Sequence, residues 1–396
     1  MDLFVFTSEF PPHLLGGLGT HVHYMVAALR HSFDVQVFVP ARDHYTPMID
    51  VRIEQVPVKS ESDSFEFWLE YAHRALKSIK LSNKPSILQC HDWSTALAGV
   101  SARRMFQIPL VFNVHLPQHG GAALASENIG LIAADLVIVN SHSVRDEIMS
   151  RNLPVRQIEV VPNGVDLDMF CPTRGWPANH GYVLFAGRLV PQKGVEVLVR
   201  AFAVLLHRFK CNLVIAGEGP LELYLQRLVR SLGVPDRVSF RHWQSGSGLI
   251  ELFQNAAIVV VPSMYEPFGI VALEAMACAR CCVASRVGGL KEIIESGIDG
   301  YLVEPGDYLD LARRLLPLLT DFDLQSKIGA AGRRKVERYS WKAAAATTTR
   351  LFSQLRYSGE GWSITPEAQI AKHELYQLID DTHKAMLVEL LEDRIL

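Results

Sequence analysis

Apolar residues along this chain fall into short runs, and longer amphipathic stretches separate them. Runs at 3–7, 34–39, 87–90, 110–114, 136–140 and 158–161 predict a first set of strands. Runs at 183–186, 213–216, 238–241, 258–261, 282–284 and 301–303 predict a second. Strands that are apolar throughout, alternating with helical periodicity, predict parallel sheets covered on both faces. Each half opens with a strand, a Gly-bearing loop and a helix. The expected architecture is α/β, with two doubly wound domains facing a cleft and ligands at the carboxyl ends of the strands.

The expected domains are 1–170 and 182–340. Residues 171–181 are rich in Pro and Gly and lack periodicity, so they predict a linker. A helix over 341–357 is expected to return to the first domain. Beyond it, 358–396 predicts a helical extension with apolar Ile370, Leu375, Leu378, Ile379, Met386, Leu387 and Leu390. Such a stripe serves packing or a homo-oligomer contact.

The 396 residues are 49% hydrophobic and 20% charged, enough for two large cores. A formal net charge of −3 argues against a general nucleic-acid binder. The N-terminus enters a strand without a basic, apolar leader, and no apolar run is long enough to span a bilayer. Six cysteines, of which only Cys278 and Cys281 have a metal-like spacing, predict reduced and mostly buried thiols. A cytoplasmic protein is expected.

The most specific chemistry lies between Pro262 and Ala275. Glu266 and Glu274 stand eight residues apart around Phe268-Gly269-Ile270, where a loop opens into a helix. Free N–H groups at such a helix start suit a phosphate, and the two carboxylates suit the hydroxyls of a sugar and a ribose. Together these describe a sugar nucleotide. Arg188 and Lys193, five apart on another strand-to-helix loop, can both reach a pyrophosphate. With two fixed cations present, no metal and no cofactor is expected, and Asp166-Leu167-Asp168 reads as a turn. Gly16, Gly17 and Gly19 lie in a loop that precedes a helix at Thr20, and they let backbone approach a ligand. Gly217-Glu218-Gly219 is either a ligand contact or a plain turn.

The chain resembles the retaining nucleotide-sugar glycosyltransferases with two Rossmann-like domains, the GT-B fold, in the branch that includes bacterial and archaeal glycogen synthases. The resemblance covers roughly 1–355. It rests on Gly16-Gly17-Leu18-Gly19, Asn113-Val114-His115, Val161-Pro162-Asn163-Gly164-Val165-Asp166, Arg188 with Lys193, Gly217-Glu218-Gly219, and Glu266 with Glu274, in family order. It implies that the Gly16–Gly19 loop lies over the donor phosphates and the acceptor. It implies that His115 touches the transferred sugar near the anomeric carbon. His91-Asp92-Trp93 is similar to the glycogen synthases and is a candidate for the acceptor side; Arg241-His242-Trp243, at the end of a strand, is a candidate for the base pocket. Two departures stand out. Leu116-Pro117 follows His115 where the family often has Asn, and Ala279 and Cys281 stand where it usually has Gly and Pro.

The expected activity is retaining transfer of glucose or mannose from a UDP-, ADP- or GDP-sugar to a carbohydrate or small-molecule acceptor. Arg188, Lys193, Glu266 and His115 are the expected catalytic residues. Gly16, Gly17, Gly19, His91, Asp92, Gly219, His242, Phe268, Gly269, Ile270 and Glu274 are the expected binding residues. The rival readings are an epimerase or a non-catalytic binder of sugar nucleotides.

Overall fold

The computed structural model describes residues 1–12, 16–41, 50–60, 64–80, 84–173, 181–359 and 365–391. The chain divides into two compact units, Met1–Pro162 with Ala344–Leu396, and Asn163–Ala343.

The first unit runs β1 (Asp2–Phe6), α1 (Gly17–Leu29), β2 (Asp34–Pro40), β3 (Arg52–Val56), α2 (Phe65–Ser78), β4 (Ile87–His91), α3 (Trp93–Phe106), β5 (Leu110–Val114), α4 (Gly121–Ala133), β6 (Leu136–Val139), α5 (His142–Met149) and β7 (Ile158–Val160). The second runs β8 (Tyr182–Ala186), α6 (Val195–Leu206), β9 (Leu213–Ala216), α7 (Glu222–Ser231), β10 (Val238–Arg241), α8 (Gly246–Asn255), β11 (Ala256–Val261), α9 (Ile270–Ala277), β12 (Cys281–Ser285), α10 (Leu290–Ile293), β13 (Tyr301–Val303), α11 (Tyr308–Thr320) and α12 (Phe322–Val336). Then come α13 (Trp341–Gln354), α14 (Pro366–Gln377) and α15 (Asp381–Leu391).

Among the described residues, the first sheet is parallel with order β3-β2-β1-β4-β5-β6-β7, and the second is parallel with order β10-β9-β8-β11-β12-β13. Counted within its own unit, each contains the 3-2-1-4-5-6 order of dinucleotide-binding sheets. The order reverses between β1 and β4, and between β8 and β11, so a crevice opens at those strand ends. Alternation explains why both sheets are covered. In the second, Val183, Phe185, Leu213, Ile215, Ile258 and Val260 enter one core, and Leu184, Ala186, Val214, Ala216, Val259 and Val261 enter the other. With period 2 and apolar residues at every position, neither face can meet water.

Three expectations change. The strand β3 has no counterpart in the predicted set, because Arg52-Ile53-Glu54-Gln55-Val56 is half polar; it pairs only with β2, at the sheet edge. The helix α1 begins at Gly17, not Thr20, so Gly17 and Gly19 lie in its first turn. The units divide after Pro162 and not at 170. Val165 forms a bridge to Ser340, and Phe170 packs on Phe253, so 163–170 belongs to the second unit. Of the expected linker 171–181, residues 174–180 lie outside the described residues.

The tail is not an independent extension. Thr365 caps α14 by accepting from Ala368 N–H, with Pro366 in the first turn. Ala368, Ala371, Leu375, Ile379, Leu387, Leu390 and Leu391 are buried in the first unit's core, against α2, α3 and α4. Of the apolar stripe expected for packing or self-association, most is used within the chain, and Ile370 and Leu378 stay exposed. All six cysteines are free thiols, and Cys90, Cys278, Cys281 and Cys282 are buried. No helix among the described residues is long and apolar enough to cross a membrane.

Candidate functional site

The second unit gathers its charged groups where β8 and β11 end. The loop after β8 passes through a short 3-10 turn at Pro191–Lys193 and ends on Gly194 at φ +62°. A Cβ at Gly194 would lie 2.0 Å from the Pro262 carbonyl oxygen, so only glycine lets this loop press against the loop after β11. Gln192 C=O accepts from Met264 N–H (2.7 Å) and Tyr265 N–H (3.3 Å) and locks the two loops together. That register brings Lys193 Nζ to 2.7 Å from Glu266 Oε2, and buried Ser263 Oγ donates to the same oxygen at 2.9 Å. The pairing is not visible in the sequence, where the two residues stand 73 positions apart. Arg188 is exposed and makes no ion pair to any described residue.

Gly269 caps α9 at φ +114°, and no described residue accepts the N–H groups of Gly269, Ile270 and Val271. These orphan donors, with the helix dipole, form an anion seat. Phe268 is 5% exposed and its ring belongs to the core, so its side chain cannot be the ligand contact expected of it; only its backbone can. Glu274 sits one turn into α9, half-buried and without a charged or hydrogen-bonding partner among the described residues. Burial alone pushes its carboxyl up to about 7. Behind this helix, Ala279 adopts φ +54°, in the region that favours the glycine the resembled family carries there.

Two further expected residues belong to neighbouring strand ends. Gly219 lies where a Cβ would be 2.6 Å from Leu189 O, and Leu189 N–H donates to Glu218 O, so this turn nests under the β8 loop. His242 is exposed, with Nδ1 3.4 Å from Glu218 Oε1. Asp166 Oδ1 accepts from Asp168 N–H and Met169 N–H at 3.0 Å each; this is a turn, as expected.

The first unit makes a second corner at the ends of β1, β4 and β5. His91 ends β4, and Asp92 follows at φ +59°. Asp92 Oδ1 accepts from His115 N–H at 2.6 Å and Leu116 N–H at 3.4 Å, which ties the β4 end to the β5 end. Burial pushes the Asp92 carboxyl up to about 8, against the pull of those N–H groups. His91 Nδ1 and His115 Nε2 are 3.0 Å apart. Desolvation holds both rings well below the usual histidine range, helped by the His21 ring beside them. Gly16 precedes α1 in extended backbone, Gly17 opens it, and Gly19 N–H donates to Glu9 Oε2 at 3.2 Å.

Three participants escape sequence reasoning. Ser263 and Glu9 bind their partners through ordinary loop hydroxyl and carboxylate groups with no distinctive spacing. His21 reads as one polar position of an amphipathic helix, and only the β1-β4-β5 adjacency brings it to His91 and His115.

Residues 15–169 match the family described as Glycosyltransferase Family 4, and residues 172–335 match Glycosyl transferases group 1. An uncharacterized glycosyltransferase of Methanocaldococcus jannaschii is 31% identical over 381 residues, which cover 89% of this chain and 98% of that protein. Alpha-maltose-1-phosphate synthase of Mycolicibacterium smegmatis is 30% identical over 400 residues, covering 90% and 100%. Among solved structures, sucrose-phosphate synthase from Thermosynechococcus elongatus has a TM-score of 0.80 and 26% identity, over 89% of this chain and 98% of that one. This chain therefore belongs to the GT-B glycosyltransferases.

Proposed function

We propose that this glycosyltransferase moves glucose or mannose, with retention of configuration and without a metal, from a nucleoside diphosphate sugar to an acceptor hydroxyl. The observation that carries this reading is the corner at the β8 and β11 ends. Helix N–H groups, an arginine and a half-buried carboxylate, none with a partner among the described residues, stand there beside a lysine–glutamate pair. The α9 N–H groups, Arg188 and Lys193 take the diphosphate and stabilise its charge as it leaves. Lys193 and Glu266 hold each other in the free protein; with donor bound, Lys193 turns to phosphate and Glu266 accepts from sugar hydroxyls. Glu274 accepts from the ribose diol. The acceptor belongs to the first unit's corner at His91 and Asp92, and His115 there meets the transferred sugar near its anomeric carbon.

The placement of the bases supports retention. Asp92 is the acid nearest a base's role, but its Oδ1 is engaged by two backbone N–H groups. The proton of the acceptor then goes to the departing phosphate oxygen, on the face from which diphosphate leaves. The test has two parts. A thermal-shift screen with UDP-, ADP- and GDP-sugars identifies the donor, because a ligand that binds only the folded chain raises its stability. Proton NMR of the first product from an α-linked donor then shows an α-linkage; a β-linkage would sink the retaining mechanism.

Two predictions follow from the corner's electrostatics. Chelation with EDTA leaves transfer at its starting rate, since Arg188 and Lys193 supply the cationic charge; activity lost to EDTA and restored by Mg²⁺ would contradict this. The second concerns Glu274. A diol donates to the ionised carboxylate, so a carboxyl near 7 in the free protein must lose its proton on binding. Donor KM should therefore rise by about tenfold between pH 8 and pH 6, and Glu274→Gln should abolish that dependence along with most donor affinity. The raised value also makes Glu274 cost stability as pH rises from 4.5 through about 7, because the folded chain keeps a proton that the unfolded chain sheds. Without donor, Glu274→Gln should melt higher than the parent at pH 8 and about equally at pH 4.5.

A further inference from the structure

Three imidazoles from separate elements of the first unit converge: His21 in α1, His91 at the end of β4 and His115 just past β5. One nitrogen of each ring lies within 4.8 Å of the other two. His91 Nδ1 and His115 Nε2 are 3.0 Å apart, and the His21 and His115 ring centroids are 4.4 Å apart.

Two nitrogens bound tetrahedrally to one zinc ion at about 2.0–2.1 Å stand roughly 3.3 Å from each other. The His91–His115 pair is therefore within about 0.3 Å of that separation. A metal ion would take the place of the proton the two rings now share. The His21 nitrogen has farther to come, roughly 1.5 Å at most, and rotation about the broad χ2 torsion of histidine covers such a distance.

The surrounding structure fixes the backbone that carries the other two rings. Thr95 Oγ1 accepts from His91 N–H at 2.9 Å, Asp92 accepts from His115 N–H, and Asn140 Nδ2 donates to His115 O at 3.3 Å. His21 and His91 are buried, while His115 is half-buried, so the cluster is shielded on one side and open on another. Three imidazoles with an open position form the donor set of an open zinc site, and an all-nitrogen set disfavours magnesium and calcium.

We propose that His21, His91 and His115 form a tris-imidazole site for one divalent ion of the zinc class. It lies in the first unit, on residues distinct from those that hold the diphosphate, so the ion is not a donor-binding metal. One consequence rests on the acceptor assignment made above: the ion takes His91 away from the acceptor and His115 away from the transferred sugar, so zinc inhibits transfer and EDTA relieves the inhibition.

The test is to titrate the metal-free full chain with Co²⁺, followed by visible absorption, and then with Zn²⁺ in competition. One equivalent of Co²⁺ should produce the intense bands of a four-coordinate ion, and one equivalent of Zn²⁺ should bleach them. His21→Asn, His91→Asn and His115→Asn should each weaken binding by more than about 100-fold, since loss of an outer-shell partner alone costs 10- to 100-fold. His207→Asn, at an exposed position, should leave it unchanged. If a variant misfolds by circular dichroism, ¹⁵N-imidazole NMR of the unaltered chain replaces it; three ring signals should shift together at one equivalent of Zn²⁺. Binding no tighter than that of the triple variant, or ring signals that stay in place, overturns the site. Binding intact with no inhibition supports the site and overturns the acceptor assignment instead.

Discussion

Lys193→Ala and Arg188→Ala should each lower turnover by about 100-fold or more, which is about 2.7 kcal/mol of lost transition-state stabilisation, while the far-UV circular dichroism stays unchanged. Both residues lie on the loop after β8 and neither supports a core, so the fold survives their loss. The effect arises because charge develops on the leaving diphosphate, and each cation meets that charge in the donor complex, Lys193 after turning from Glu266. The two variants should differ in one respect. Arg188 has no ion-pair partner among the described residues, so its removal disturbs only the contact with donor. Lys193 also holds Glu266 at 2.7 Å, so its removal frees a buried side chain whose carboxylate keeps, among the described residues, only the hydrogen bond from Ser263. Lys193→Ala should therefore raise donor KM as well as lower turnover, through a misplaced Glu266. Steady-state kinetics on both variants decides this; near-parental turnover in both would remove the diphosphate assignment.

Arg103→Ala should destabilise the first unit by about 3–5 kcal/mol, the cost of taking from buried Asp135 its bidentate partner and leaving it the partly exposed Arg156, whose Nη1 lies 3.2 Å from Oδ1. Arg103 is fully buried. Its Nε and Nη2 donate to the two Asp135 oxygens at 2.9 and 3.1 Å, and Nη2 also donates to Ser358 Oγ and Gly359 O. The guanidinium stacks 4.7 Å from the Tyr357 ring centroid. Burial pushes the Asp135 carboxyl up, but hydrogen bonds from Arg103, Ser358 and Leu110 N–H outweigh it and hold the group below the ordinary range. A depressed carboxyl contributes stability above its unfolded value of 3.8, and that contribution is lost as pH falls through the folded value. The clasp fastens the chain after α13 to the first unit, so its loss should also raise hydrogen exchange at 355–359. A urea melt checks the magnitude. The double variant Arg103→Met/Asp135→Leu should recover much of the loss, because an apolar pair leaves no buried charge. A double variant as unstable as Arg103→Ala would show that packing, and not the charge, causes the loss.

The corner proposed for the diphosphate was legible because strand-to-helix loops keep their chemistry local. Arg188 and Lys193 are five residues apart, Glu266 and Glu274 eight, and such spacings survive folding almost unchanged. The contacts between those loops were not legible. The Lys193–Glu266 pair spans 73 positions. It exists because Gly194 allows close approach to Pro262 and because Gln192 receives two N–H groups from the other loop. Phe268 shows the opposite failure. It stands inside the motif, yet its aromatic ring is worth more in the core than at a ligand, and burial claimed it. The edge strand β3 was missed for a related reason, since a strand paired on one side and half exposed need not be apolar.

By itself the sequence determined the α/β class, the two sheets and the end of each sheet at which ligands gather. Those features follow from hydrophobic periodicity and turn chemistry, which act over a few residues and are written directly in the chain. Only the tertiary structure decided which charges pair, which site residues face the core, and where one unit ends and the other begins. The division after Pro162, the tail packed on α2, α3 and α4, and the meeting of His21, His91 and His115 all depend on strand order. Strand order is set by how whole layers of helices cover both faces of a sheet, and no local window of sequence contains that choice.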